Sequence, residues 1–162
     1  MAKKIALIAV ILLILIQFFK PAKNISASPQ PMAIGAHYEV PQEVSSILKT
    51  ACNDCHSNNT RYPWYNNIQP FAWFLSYHVK DGKKELNFDE FSSYTLKKQD
   101  HKLEEVVEMI QEGEMPLTSY TLVHRDANLS KEQQQQLIDW ANALRSQVKG
   151  KMTASNPQGS GR

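Results

Sequence analysis

Apolar positions along the chain gather into five blocks separated by polar stretches. The first, Ile5 to Phe19, reads IALIAVILLILIQFF with Gln17 as its only polar member. Lys3 and Lys4 precede it and Lys20 and Lys23 follow. Such a run is a secretory signal or a membrane anchor. A bilayer core wants about 20 apolar residues, so the run is short, and lysine stems at both ends must snorkel to extend its reach. A small-x-small cleavage site is missing directly after it, where Lys20-Pro21 stands, and Ser26-Ala27-Ser28 comes only later. An uncleaved anchor over 1–20 is therefore expected, with a cleaved signal as the alternative.

The other four blocks carry helical spacing. Val44, Ile47, Leu48 and Ala51 recur at i, i+3, i+4 and i+7 behind Pro41, a good first helical residue. Phe71, Phe74, Leu75 and His78 repeat that spacing and predict a second helix ending before Gly82. Leu103, Val106, Val107 and Ile110 mark a third, closed by Gly113 as a left-handed cap. Leu137, Ile138, Ala141 and Leu144 mark the last, with Trp140 beside the stripe and Ser130 and Gln133 forming a capping box ahead of it. Residues 21–39, rich in Pro, Ser and Ala, read as a flexible tether, and the stretch from 149 to 162 as a disordered tail. Leu86 to Phe91 reads as a turn and a short helix start capped by Asn87. The expected architecture is all-α: a small helical domain over 40–148 behind an N-terminal transmembrane anchor.

Charge removes one class of function. The formal charge is +2, but four lysines flank the first apolar run. From residue 24 onward there are 14 basic and 16 acidic side chains. A domain that binds nucleic acid needs a concentrated basic face, which this one lacks. The chain has two cysteines, both in one motif, so no disulfide scaffold is available to it. Nor does it show the paired carboxylates, Ser/His/Asp set or phosphate loop of a hydrolase.

That motif is Cys52-Asn53-Asp54-Cys55-His56. C-x-x-C-H is the pattern of covalent haem attachment. On a helical turn i and i+3 share a face and i+4 lies beside them, so Cys52, Cys55 and His56 can address one flat ligand. The thiols would form thioethers with the haem vinyl groups and the His56 imidazole would bind the iron. A structural zinc site would need four ligands, and His37, His78, His101 and His124 are scattered singly. A thioredoxin-like pair belongs in an alternating strand and helix pattern, which is absent. A disulfide across three residues would gain little.

The loop after the motif, residues 57–70, mixes polar residues with Arg61, Tyr62, Trp64 and Tyr65. The aromatics are candidate haem walls and Arg61 a candidate propionate partner. A carbonyl from this loop, near Pro70, is a candidate partner for the second His56 nitrogen. Asn24-Ile25-Ser26 matches a glycosylation sequon, read as incidental beside the apolar run. Met115, in a helix-to-loop break and followed by Pro116, is the expected sixth iron ligand, because a thioether suits low-spin haem iron. His78 is the alternative, while Met32, Met109 and Met152 are weaker candidates.

The order helix, C-x-x-C-H, aromatic loop, helices, Met-Pro and C-terminal helix is similar to that of small class I cytochromes c. More closely, residues 51 to 140 resemble the bacterial haem-binding domain family of membrane-anchored single-haem proteins. The stretches carrying the resemblance are CNDCHSNNTRYPWYNNIQP, HVKDGKKELNF, GEMP and LSKEQQQQLIDW. It implies one covalently attached haem c per chain, anchored at Cys52 and Cys55, with His56 as proximal ligand and Met115 as distal ligand. The expected role is electron transfer with a redox partner protein, in a domain anchored to the inner membrane and facing the periplasm. The alternatives are a haem sensor or haem enzyme whose sixth position is open or held by His78, and an accessory subunit whose haem is structural.

Overall fold

The structure, a computed structural model, describes residues 1–155. Eight α-helices follow in order: α1 Ala2–Ile16, α2 Ile34–His37, α3 Gln42–Ala51, α4 Asn53–His56, α5 Phe71–Glu85, α6 Leu96–Gln111, α7 Thr118–Thr121 and α8 Lys131–Ser155. Short 3-10 turns link them, and among the described residues there is no β-strand, only an isolated bridge between Ile25 and Asn59. The all-α expectation holds.

The core lies between α3, α6 and α8. Phe91, Leu103, Leu137, Leu144 and Val148 are its most buried large side chains. The predicted stripe of α3 is buried throughout, at Val44, Ile47, Leu48 and Ala51. Both predicted helix ends also form. Gly113 takes φ 73, and Glu114 N donates to Met109 O while Gly113 N donates to Ile110 O, the paired bonds of a Schellman cap. Ser130 and Gln133 cap each other reciprocally at 2.9 and 3.2 Å.

Four expectations need correction. The second helix does not end before Gly82; α5 runs through it to Glu85. The last helix continues past residue 149 to Ser155, because Val148 is fully buried and Met152 packs on the core. The expected disorder of 156–162 lies outside the described residues. Residues 21–39 are not a loose tether. Ile34 and Tyr38 enter the core, and Asn24 is held by five hydrogen bonds, one each to Tyr62, Ser57 and Lys83 and two to Thr60. That binding also occupies the Asn24 side chain of the sequon. Asn87 caps a turn rather than a helix, its side-chain oxygen accepting from Asp89 N at 3.1 Å.

The N-terminal run forms a helix of 15 residues with no buried residue. At 1.5 Å per residue that is roughly 22 Å, against a hydrocarbon core of about 30 Å. No helix among the described residues is long and apolar enough to cross a membrane.

Candidate cofactor site

The site is built on the junction of α3 and α4. Cys52 closes the first and opens the second, with φ −124 and ψ −45. Its carbonyl accepts from both Cys55 N (3.1 Å) and His56 N (3.0 Å), so the motif is one tight turn. Both cysteines are free and partly buried. Burial, then the neighbouring Cys55, pushes the Cys52 thiol up to about 12; burial, then Asp54, pushes Cys55 up to about 11. A dithiol redox pair needs lowered thiol pKa values, so this environment argues against that alternative. No group of three or more metal-ligating side chains suited to zinc occurs among the described residues.

The segment Leu86 to Phe88 holds His56 from one side. His56 Nδ1 donates to Leu86 O at 3.0 Å, its backbone carbonyl accepts from Phe88 N at 2.8 Å, and its ring meets the Phe88 ring edge-on. The orienting carbonyl therefore comes from the end of α5, not from the loop near Pro70. This bond commits Nδ1 and leaves Nε2 as the donor atom. Burial lowers the His56 pKa, opposed by the Leu86 and Gly82 carbonyls, and so favours the neutral ring that a metal requires.

Gly82 explains how the turn fits against α5. A Cβ there would lie 2.8 Å from Cys55 O and 3.0 Å from Cys55 Cβ. The glycine is helical, and its role is to let two backbones meet.

Three adjoining cavities wrap the motif. The first, about 410 Å³, has Cys52, His56, Met109, Met115 and Leu137 among its walls. A smaller one of about 220 Å³ touches both cysteines, His56, His78 and Met115. The third, about 430 Å³, runs from Cys55 between Phe71, Phe74 and His78 on one side and Tyr65, Tyr120 and His124 on the other. Met115 thus shares two cavities with His56 and His78 shares one. His78 Nδ1 donates to Phe74 O at 2.8 Å, which leaves its Nε2 free. The stripe Phe71, Phe74, Leu75, His78 lines the third cavity, with Phe71 and Phe74 half exposed.

The aromatic loop is placed differently from expectation. Tyr65 lines the third cavity, but Trp64 is 77 % exposed and lines none of them. Tyr62 faces the N-terminal segment, its hydroxyl accepting from Asn24 N at 2.7 Å. Arg61 is turned onto Asp54, with Nε to Oδ1 and Nη2 to Oδ2 both at 3.1 Å. Asp54, between the two cysteines, is 6 % exposed and also accepts from Arg61 N (3.0 Å) and Tyr120 Oη (2.7 Å). Tyr120 sits five residues after Met115, so this carboxylate ties the Met115 loop to the motif. Sequence reasoning passed over Asp54, Gly82, Leu86 and Tyr120. Only Asp54 gave a signal, as an acid inside the motif with an arginine seven residues on.

A fifth overlooked residue is Lys102. It is 8 % exposed on α6, lines the first cavity, and pairs with Glu105 at 2.6 Å and Glu85 at 3.3 Å.

No curated protein and no solved structure matches the chain. The family model described as a haem-binding domain matches residues 11–143, most of the chain and all of the site. With a turn that presents two thiols and an imidazole to apolar cavities, and a match of that length, the chain belongs to the haem-binding domain family.

Proposed function

We propose that this protein carries one haem c, bonded through the sulfurs of Cys52 and Cys55, and serves as a one-electron carrier. His56 Nε2 is the proximal ligand and Met115 Sδ the distal one. The observation that carries this reading is the His56 Nδ1–Leu86 O bond, which fixes the imidazole beside both free cysteines and leaves one nitrogen over cavities that Met115 also lines. The residues fit the group: the cavity linings are mostly apolar, as a porphyrin ring needs, and the donor set is one neutral nitrogen and one thioether. When bound, haem supplies an iron that cycles between ferrous and ferric states without substrate bonding. The chain's part is to bury that iron, orient His56, and hold Met115 through the Tyr120–Asp54 bond. Lys102 at the edge of the first cavity replaces the engaged Arg61 as the cation for a propionate.

His78 supports a second reading, in which the sixth position is open or held by that imidazole and the protein is a sensor or catalyst. Its free Nε2 and shared cavity favour it; Met115, which lines two cavities, is preferred. A structural haem in an accessory subunit is the remaining alternative, which identification of a redox partner would rule out. We further place the domain on the outer face of the inner membrane. The apolar α1, which has no buried residue, enters the bilayer, with the lysines at its ends in the headgroups. Secretion after cleavage is the alternative.

The test is the absorption spectrum of protein from a host competent in cytochrome maturation. Acid-washed, denatured wild type retains pigment. Met115→Ala loses the methionine-to-iron charge-transfer band and gains carbon monoxide binding, and His78→Ala changes neither. Loss of the band in His78→Ala alone reverses the distal assignment. Colourless denatured protein refutes the covalent haem.

A further inference from the structure

Apolarity in α5 changes along its length rather than around it. The first two turns, Phe71 to His78, contain no Lys, Arg, Asp or Glu; the last two carry Lys80, Asp81, Lys83, Lys84 and Glu85. A helix that packs on a core is apolar on one side. Here Phe71, Trp73, Phe74 and Tyr77 are exposed by 41 to 65 % in directions well apart around the axis, while the buried residues are only Ala72 and Val79. Trp64 and Ile68 just ahead of the helix, and Leu122 and Val123 from the loop beyond Met115, are likewise exposed apolar side chains. Haem accounts for only part of this patch: Phe71, Phe74, Tyr77 and Val123 line the cavities around the motif. Trp64, Ile68, Trp73 and Leu122 line none of the three cavities around the motif.

The patch is joined to α1 by specific bonds. Gln17 at its end exchanges two hydrogen bonds with the Gln69 backbone, Nε2 to O at 3.3 Å and N to Oε1 at 2.9 Å. The Phe19 carbonyl then accepts from both Gln69 Nε2 and Trp73 Nε1 at 2.8 Å. The bare helix and the aromatic half of α5 are therefore neighbours in space. Beside them a small cavity of about 310 Å³ has Lys23, Lys80 and Lys83 in its walls, with Tyr62 and Ser76. Aromatic residues with polar handles next to a ring of cations match the boundary between hydrocarbon and headgroups.

We propose that Trp64, Ile68, Trp73 and Leu122, with the half-exposed Phe71 and Phe74 shared between them and the third cavity, form a docking face for a bilayer surface that carries anionic phospholipid. The face rests on the reading of α1 as a bilayer segment and extends it to the folded domain. It also answers the shortfall of α1: the aromatic collar, fixed to its end, continues the apolar surface where the helix stops. Lys23 and Lys80, both exposed, meet the lipid phosphates, while Lys83 stays engaged with Asn24. The haem domain then lies against the membrane in one orientation.

The experiment uses the full-length, haem-loaded chain in vesicles of phosphatidylethanolamine and phosphatidylglycerol. A fraction of the lipid bears a photoactivatable carbene precursor near the headgroup end of its acyl chain, and adducts are mapped by mass spectrometry. Adducts are expected on residues 2–19 and on Trp64, Phe71, Trp73 and Leu122, with none on the core residue Trp140. In Trp64→Glu/Leu122→Glu, both highly exposed positions outside the haem cavities, the visible spectrum and flotation stay unchanged. Adducts on residues 64–77 fall roughly tenfold in that variant, from the loss of apolar contact. Wild type that floats with adducts on residues 2–19 alone overturns the docking face and leaves the α1 reading standing. Wild type that does not float overturns both. An unlabelled face that crosslinks to a second copy assigns the surface to a dimer, and undiminished labelling in the variant also overturns the proposal.

Discussion

Asp54 is the smallest unit on which the site depends. Its carboxylate takes two bonds from the Arg61 guanidinium, one from Arg61 N and one from Tyr120, all within 3.1 Å. Asp54→Asn removes the charge and turns two acceptors into one acceptor and one donor. Because the Arg61 side chain is half exposed, only part of a buried ion pair is lost. A fall of about 2 kcal/mol in unfolding free energy is expected by urea titration of the haem-loaded chain. Tyr120 adds a pH signature. Burial, the Asp54 hydrogen bond and the Asp54 charge hold its hydroxyl above the ordinary tyrosine pKa, against the opposing Arg61. The folded chain thus keeps a proton that the unfolded chain releases near pH 10. This contribution to stability is complete below about pH 10 and is lost as the pH rises beyond it. Urea midpoints from neutral to alkaline pH should drop more steeply in wild type than in Tyr120→Phe. Gly82→Ala drives a methyl into the Cys55 backbone. It should cost about 1–3 kcal/mol and reduce the yield of attached haem, read from the ratio of haem absorbance to protein. Cys52, Cys55 and His56 were legible because they are contiguous and one turn brings them together. Asp54–Tyr120 spans 66 residues and Gly82–Cys55 spans two elements, so neither pairing leaves a local pattern.

At the scale of elements, legibility follows what each helix packs against. α3 and α6 each pack on α8 and all three display the expected period, and the α6 and α8 ends follow from Gly113 and the Ser130–Gln133 box. α5 shows the same spacing, yet its stripe faces a cavity and its flank is bare. Periodicity reports that a face is apolar and not what covers it. Glycine misled in two places, where neighbouring contacts override its helix-breaking tendency. Gly82 stays helical for close approach, and Gly150 stays helical because Val148 and Met152 on either side pack on the core. A Cβ at Gly150 would meet nothing within 4 Å. Gly150→Ala should therefore stabilise the chain by about 0.5–1 kcal/mol, seen as a higher melting temperature in thermal denaturation.

For the whole molecule, the three cavities meet at the motif, so the haem would complete the interior of the domain. Chain made without haem attachment should melt lower by roughly 10 °C, since voids forfeit several kcal/mol of packing and each kcal/mol is worth about 2–4 °C at this size. Circular dichroism of matched haem-free and haem-loaded preparations measures the gap. The tether expected over residues 21–39 was invisible as structure, because its anchoring comes from single side chains such as Asn24 and Tyr38 rather than from a repeat. Its actual course has a practical result. A swinging arm would let the domain search for its partners over the length of the arm. This segment is instead stitched to the loop behind the haem motif and to the core, so a cut at residue 30 would not liberate an intact globule but would strip away part of its wall. Under the proposed electron-transfer role, the range of delivery would be set by how far a partner can approach a stationary site.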